Sequence, residues 1–100
     1  MFEYVSSAHE CNGERPIRLT WEGKTPRRSS IQFQLRVADS EKDLGKAKWF
    51  GAEGVGSFFT QREQTVISIP SGNWIQYKAV FDTENGAYSP ILELVEITFE

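Results

Sequence analysis

Five long polar side chains fall in two rows on two strand-like segments, and they are the residues best placed to contact a ligand. They are Gln32, Gln34 and Arg36 in residues 31–37, and Gln76 and Lys78 in residues 74–82. Amides and cations of this kind offer donors and acceptors that suit the hydroxyls or carboxylates of a sugar. Rings at strand or loop ends could stack on the apolar side of a sugar, as Trp49, Trp74 and Tyr88 would. The expected ligand-binding residues are Gln34, Arg36, Gln76, Lys78, Trp49 and Trp74.

A second interpretation of the same residues needs no ligand. Gln and Lys are ordinary solvent-facing residues of antiparallel sheets, and Trp is usually mostly buried. The two polar rows therefore predict either a binding face or a solvated face.

Residues suited to catalysis are scarce. His9 is the only histidine and Cys11 the only cysteine, and neither lies in a recognisable nucleophile signature. A pair of carboxylates could in principle hydrolyse a glycoside, but Glu93, Glu96 and Glu100 fit the solvated face of a final strand. We therefore expect a protein that is not an enzyme.

Two segments resemble metal or phosphate loops only superficially. The acids at 39, 41 and 43 would begin an EF-hand, but its sixth and twelfth positions would then be Leu44 and Phe50 instead of Gly and Glu. Acids at the start of a short helix explain them better. The glycines at 51, 54 and 56 lack the lysine of a phosphate loop and indicate a bend. We expect no metal and no cofactor.

Composition limits the class of protein. One hundred residues, of which 39% are hydrophobic and 25% charged, suit a single globular domain spanning residues 1–100. No apolar run is long enough to span a bilayer. The net charge of −3, with basic residues scattered, argues against nucleic acid as a partner. A single cysteine excludes an intramolecular disulfide.

The elements that must position these residues are short strands separated by turn signals such as Asn12-Gly13 and Asn85-Gly86. In the last strand the apolar residues change parity between Leu94 and Val95, which predicts a β-bulge there. One short helix is expected over residues 40–47, with Ser40 as its N-cap. The predicted strands are residues 2–6, 17–21, 30–38, 57–60, 65–69, 74–82 and 92–99.

Together these segments predict an all-β, antiparallel β-sandwich of jelly-roll type, with seven or eight strands in two sheets. The chain also resembles the galactose-binding-like β-sandwich accessory modules of secreted bacterial multidomain proteins. The segments that carry the resemblance are Leu19-Thr20-Trp21-Glu22, Ile31–Ala38, Trp49-Phe50-Gly51, Trp74–Ala79 and Ser89–Ile97.

This resemblance implies a non-catalytic carbohydrate-binding module that docks a larger secreted or cell-surface protein onto a polysaccharide or other glycan. Both ends of the chain are strand-like, which favours a module of a longer chain with neighbouring domains as partners. The alternative function is a structural or protein-interaction spacer that binds no small ligand. The resemblance specifies a fold more than an activity, so the expected site residues come from strand geometry alone.

Overall fold

The computed structural model describes residues 2–26, 28–67, 69–83 and 89–100. The described chain is built from strands, with a single short 3₁₀ helix at Lys42–Lys46. The strands are β1 (Phe2–Val5), β2 (His9–Glu10), β3 (Pro16–Lys24), β4 (Ser29–Ala38), β5 (Phe50–Gly51), β6 (Gly54–Val55), β7 (Glu63–Thr65), β8 (Trp74–Thr83) and β9 (Ile91–Phe99).

The strands form two antiparallel sheets of unequal size. The large sheet has six strands in the order β1-β8-β4-β5-β6, with β2 pairing beside β1 on β8. The small sheet has three strands in the order β7-β3-β9. The predicted all-β, two-sheet antiparallel fold is confirmed. The described chain has more strands than predicted, because β2, β5 and β6 are strands of only two residues and are too short to show a periodic pattern.

The alternation in β4 and β8 determines how the large sheet is oriented. The two strands pair over ten residues, with Phe33 opposite Ala79 and Leu35 opposite Tyr77. These apolar side chains point towards the small sheet, where Leu19 and Trp21 complete the buried core. The polar residues between them therefore point away from the small sheet, and we call this side of the large sheet the outer face.

A β-bulge in β9 keeps its apolar residues on the core side. Gly23 pairs with Leu92 and Glu22 with Leu94, so Glu93 is the extra residue. As a result Leu92 and Val95 both pack against the core, while Leu94 is exposed. The predicted bulge is confirmed, and it lies next to the position that the change of parity indicated.

Some predicted elements are shorter than expected. Residues 57–60 do not form a strand, because only Phe59 pairs, through a single bridge to Phe33. The strand predicted over 65–69 instead spans Glu63–Thr65, and Ser68 lies outside the described residues. The predicted helix is one turn of 3₁₀ helix preceded by Glu41, although the Ser40 hydroxyl still accepts a hydrogen bond from the Asp43 N–H at 3.3 Å.

The turn predicted at Asn85-Gly86 lies outside the described residues. At the other predicted Asn-Gly turn, Asn12 has a φ of 53°, as such a turn requires. Within the described residues, no helix has the length and apolar character needed to cross a membrane.

Candidate functional site

The outer face brings together most of the residues expected to bind a ligand. In the β4–β8 register, Arg36 lies opposite Gln76 and Gln34 lies opposite Lys78. Trp49 reaches the same face from the segment before β5. The juxtaposition follows from the shared parity of the two strands, since antiparallel partners project to the same side of a sheet.

The polar groups of Arg36 and Gln76 are used within the protein. Arg36 donates through Nε and Nη2 to Gln76 Oε1, at 2.9 and 2.7 Å. Gln76 in turn donates through Nε2 to the carbonyl oxygen of Ser6 at 2.9 Å, which ties the segment after β1 to the sheet. Burial lowers the pKa of Arg36 below its ordinary value. This end of the outer face therefore offers few unpartnered groups to a ligand.

Trp49 packs onto the two cations of this face. Its ring centroid lies 4.2 Å from Arg36 Cζ and 4.8 Å from Lys78 Nζ. Cation–π contacts of this kind contribute about 0.5–2 kcal/mol each, depending on how far they are desolvated. Trp49 thus helps to hold the segment before β5 against the sheet, and the side of its indole that faces the sheet is occupied.

Gln34 is also engaged, although the sequence does not distinguish it from Gln32. It is only 4% exposed, and its Nε2 donates to the carbonyl oxygen of Ser57 at 2.9 Å. The backbone of Ser57 passes so close to Gly51 that any side chain at position 51 would overlap with it. The loop between β5 and residue 59 therefore folds back over Gln34.

Two aromatic candidates remain, Trp74 and Tyr88. Trp74 is half-buried and lies on the outer face at the start of β8, paired with Glu10 of β2 and Ala38 of β4. Tyr88 lies outside the described residues.

An open pocket of about 380 Å³ lies at the opposite end of the outer face, next to Gln32. We call it the Gln32 pocket. The bridge between Phe33 and Phe59 positions it, because Phe59 points into the core and its neighbours Phe58 and Thr60 must point the other way. The pocket is lined by Gln32, Ala52, Glu53, Ser57, Phe58, Thr60 and Gln64.

Several polar groups of this pocket have no partner within the described residues. The side chains of Gln32, Glu53 and Thr60 make no hydrogen bond there, and Glu53 is the only charged residue among the described residues of the lining. Gln64 accepts the backbone N–H groups of Thr60 and Gln61 through Oε1, at 3.1 and 3.2 Å, which leaves its Nε2 available. The ring of Phe58 is 36% exposed. The pocket thus combines an aromatic surface with amide, hydroxyl and carboxylate groups.

Sequence reasoning placed Gln32 on the polar face but did not find the rest of this pocket. The loop residues Glu53 and Phe58 have no periodic signal, and Gln64 comes from the edge strand of the other sheet. One local pattern could have indicated a ring beside Gln32, namely the pair Phe58-Phe59. In an extended segment two adjacent side chains point to opposite faces, so one of the two rings must point away from the core.

Two residues considered for catalysis, Cys11 and His9, differ in their exposure. Cys11 is buried and donates through Sγ to the carbonyl oxygen of Gly72 at 3.1 Å, and burial together with Glu14 raises its thiol pKa. His9 is exposed, with Ser7 Oγ 3.5 Å from its Nε2. Among the residues that the structure describes, no three His, Cys, Asp or Glu side chains are grouped closely enough to hold a metal ion.

Comparison with known proteins adds no relative. The chain matches no known protein family, no curated protein and no solved structure.

Proposed function

We propose that this chain is a non-catalytic module that binds a neutral glycan in the Gln32 pocket. The observation that carries the proposal is the set of unpartnered polar side chains around an exposed phenyl ring in one open pocket of about 380 Å³. This volume lies within the ordinary range of small-molecule sites.

The chemistry of the pocket suits a sugar ring. Sugar hydroxyls both donate and accept hydrogen bonds. Gln32 and Thr60 can donate and accept, Gln64 can donate through Nε2, and Glu53 can accept. The C–H side of a pyranose is apolar and can pack on the ring of Phe58.

Among the described residues no cation lines the pocket, which favours a neutral over an acidic glycan. Glu53 would repel a carboxylate or a sulfate, and two cations of the outer face, Arg36 and Lys78, are packed against Trp49. The resemblance to accessory modules of secreted bacterial proteins favours a glycan as the ligand. It also favours a secreted or cell-surface location within a longer chain.

A glycan array followed by calorimetric titration of any neutral glycan found tests this proposal. Phe58→Ala should weaken binding about tenfold, equivalent to about 1.4 kcal/mol, because it removes the stacking surface. Gln32→Ala should weaken it through lost hydrogen bonds. The control is Phe2→Ala, which removes an exposed phenyl ring from β1 that does not line the pocket, and it should leave glycan affinity unchanged.

Two further variants locate the site if glycan binds elsewhere. Trp74→Ala and Lys78→Ala alter the other end of the outer face. If these variants weaken binding while Phe58→Ala does not, the Gln32 pocket is not the site. If the array shows no binding to any glycan, the proposal fails and the spacer function becomes the better interpretation.

A further inference from the structure

Within the described residues the sandwich is open along one side, and this opening is separate from the Gln32 pocket. The large sheet extends past the small one at β1, while the small sheet ends at β9. Between these strands lies a cleft of about 350 Å³, lined by Phe2, Tyr4, Tyr77, Phe81 and residues 92–95. A second opening continues it along β9 to His9, Ile97 and Phe99. We call this continuous surface the open cleft.

The open cleft exposes large aromatic side chains to solvent. Phe2 is 63% exposed and Tyr4 47% exposed, although both rings project to the core side of the sheet. Phe2 contacts Phe81 and Tyr4 contacts Tyr77, with ring centroids 5.4 and 6.1 Å apart. Contiguous apolar patches of this kind commonly mark interaction sites.

The backbone of β9 is available along the same side. Within the described residues β9 pairs only with β3, so its other edge presents unpaired N–H and C=O groups over nine residues. A strand added there would become the fourth strand of the small sheet and would lie over β1. It would cover Phe2 and Tyr4 with its inward-facing side chains.

The charge on the strands bordering the cleft indicates what kind of segment would fit. Strands β1, β2 and β9 contain Glu3, Glu10, Glu93 and Glu96 and no Lys or Arg. Glu93 lines the cleft, and Glu96 lies on its bordering strand β9. Glu3 and Glu10 pair with Val80 and Trp74, so their side chains project to the outer face, away from the cleft. The carboxylates that border the cleft are therefore those of β9. Within the described residues, none of the four carboxylates has a hydrogen bond or an ion pair.

We infer that the open cleft binds an extended segment of a partner protein in which apolar residues alternate with Lys or Arg. The segment pairs with the free edge of β9, places its apolar side chains against Phe2 and Tyr4, and places its cations beside Glu93 and Glu96. Strand addition of this kind obtains affinity from backbone hydrogen bonds and selectivity from alternate side chains. The inference goes beyond the proposed function and uses a different surface.

A second copy of the chain fits the cleft less well. Pairing β9 with β9 would bring Glu93 and Glu96 of both copies onto one seam, and like charges on adjacent strands are destabilising. A basic segment removes this repulsion.

The inference can be tested by NMR. A short synthetic peptide of alternating valine and lysine is titrated into the ¹⁵N-labelled protein. Amide shifts should change along β9 and β1, and the affinity should fall as salt is added. Two control peptides separate the contributions. A peptide with glutamate replacing lysine should not bind, and one that is N-methylated at every second residue should lose the edge pairing.

Variants on exposed positions complete the test, because they should not affect folding. Glu96→Lys should weaken peptide binding about tenfold. The matched control Glu63→Lys makes the same charge change on β7, at the far edge of the same sheet, and should have little effect. Phe2→Ala should weaken peptide binding, whereas Phe58→Ala should not. The reverse holds for glycan binding, so the two proposals can fail separately.

Three results would overturn the inference. These are the absence of shifts at β9 and β1, equal loss of affinity in Glu63→Lys and Glu96→Lys, and equal binding of the glutamate peptide. A doubled molecular mass that Phe2→Ala abolishes would instead assign the cleft to a second copy of the chain.

Discussion

Two glutamines on one strand face have different roles, and the difference is measurable. Gln34 is buried and donates to the Ser57 carbonyl, whereas Gln32, two residues earlier, has no hydrogen bond within the described residues. Gln34→Ala should lower the free energy of unfolding by about 1–3 kcal/mol, because it leaves a carbonyl oxygen unpaired beneath the loop. Gln32→Ala should change it by less than about 0.5 kcal/mol.

Urea unfolding of both variants, followed by Trp fluorescence, checks this prediction. Equal stability of the two variants would show that the loop over Gln34 does not depend on its hydrogen bond. The same comparison separates structure from binding, since Gln32 is expected to affect glycan affinity and Gln34 the loop that borders the pocket.

At the scale of elements, the β9 bulge depends on a close approach of two backbones. A methyl group at Gly23 would overlap with the carbonyl oxygen of Ile91 and press on the Leu92 backbone. Because backbone atoms cannot move aside as a flexible side chain can, Gly23→Ala should cost about 1–3 kcal/mol, as overpacking does. Gly45→Ala is the matched control, since no atom lies within 4 Å of a methyl group there. It should be neutral or slightly stabilising.

Thermal denaturation of the two glycine variants gives the comparison directly. If Gly23→Ala has the same melting temperature as the wild type, β9 can change its register with β3 at little cost in free energy. In that case the bulge would not be what holds Leu92 and Val95 on the core side.

Elements with strong periodicity were predictable from the sequence, and those held by single contacts were not. The alternation of β4 and β8 gave their orientation, and the change of parity in β9 gave the bulge, because burial on one face imposes a period of two. Residues 57–60 have β-like composition, yet only Phe59 pairs. The Gln32 pocket depends on that bridge and on loops, so no local pattern other than the pair Phe58-Phe59 indicates it. The polar rows were placed correctly on one face, but their hydrogen bonds to Ser6 and Ser57 depend on segments far away in sequence.

At the scale of the whole molecule, stability should be distributed unevenly between the closed and the open side. The ten-residue β4–β8 ladder lies inside the large sheet with neighbours on both edges, and it carries Phe33, Leu35 and Ala79 of the core. Amides within this ladder should exchange with solvent only when the protein unfolds globally. The amides of β9 that point away from β3 have no partner in the described chain, and they should exchange at least about a hundred times faster.

Hydrogen exchange followed by NMR tests this prediction in one sample, with the β4–β8 amides as the internal reference. If the outward amides of β9 were as protected as those of β4, the edge would already be covered and the open cleft would not be available to a partner. Addition of the valine-lysine peptide should slow exchange at β9 and leave the β4–β8 amides unchanged, because edge pairing protects the amides it contacts. This result would show that the unequal size of the two sheets leaves one side of a stable sandwich free to bind a partner segment.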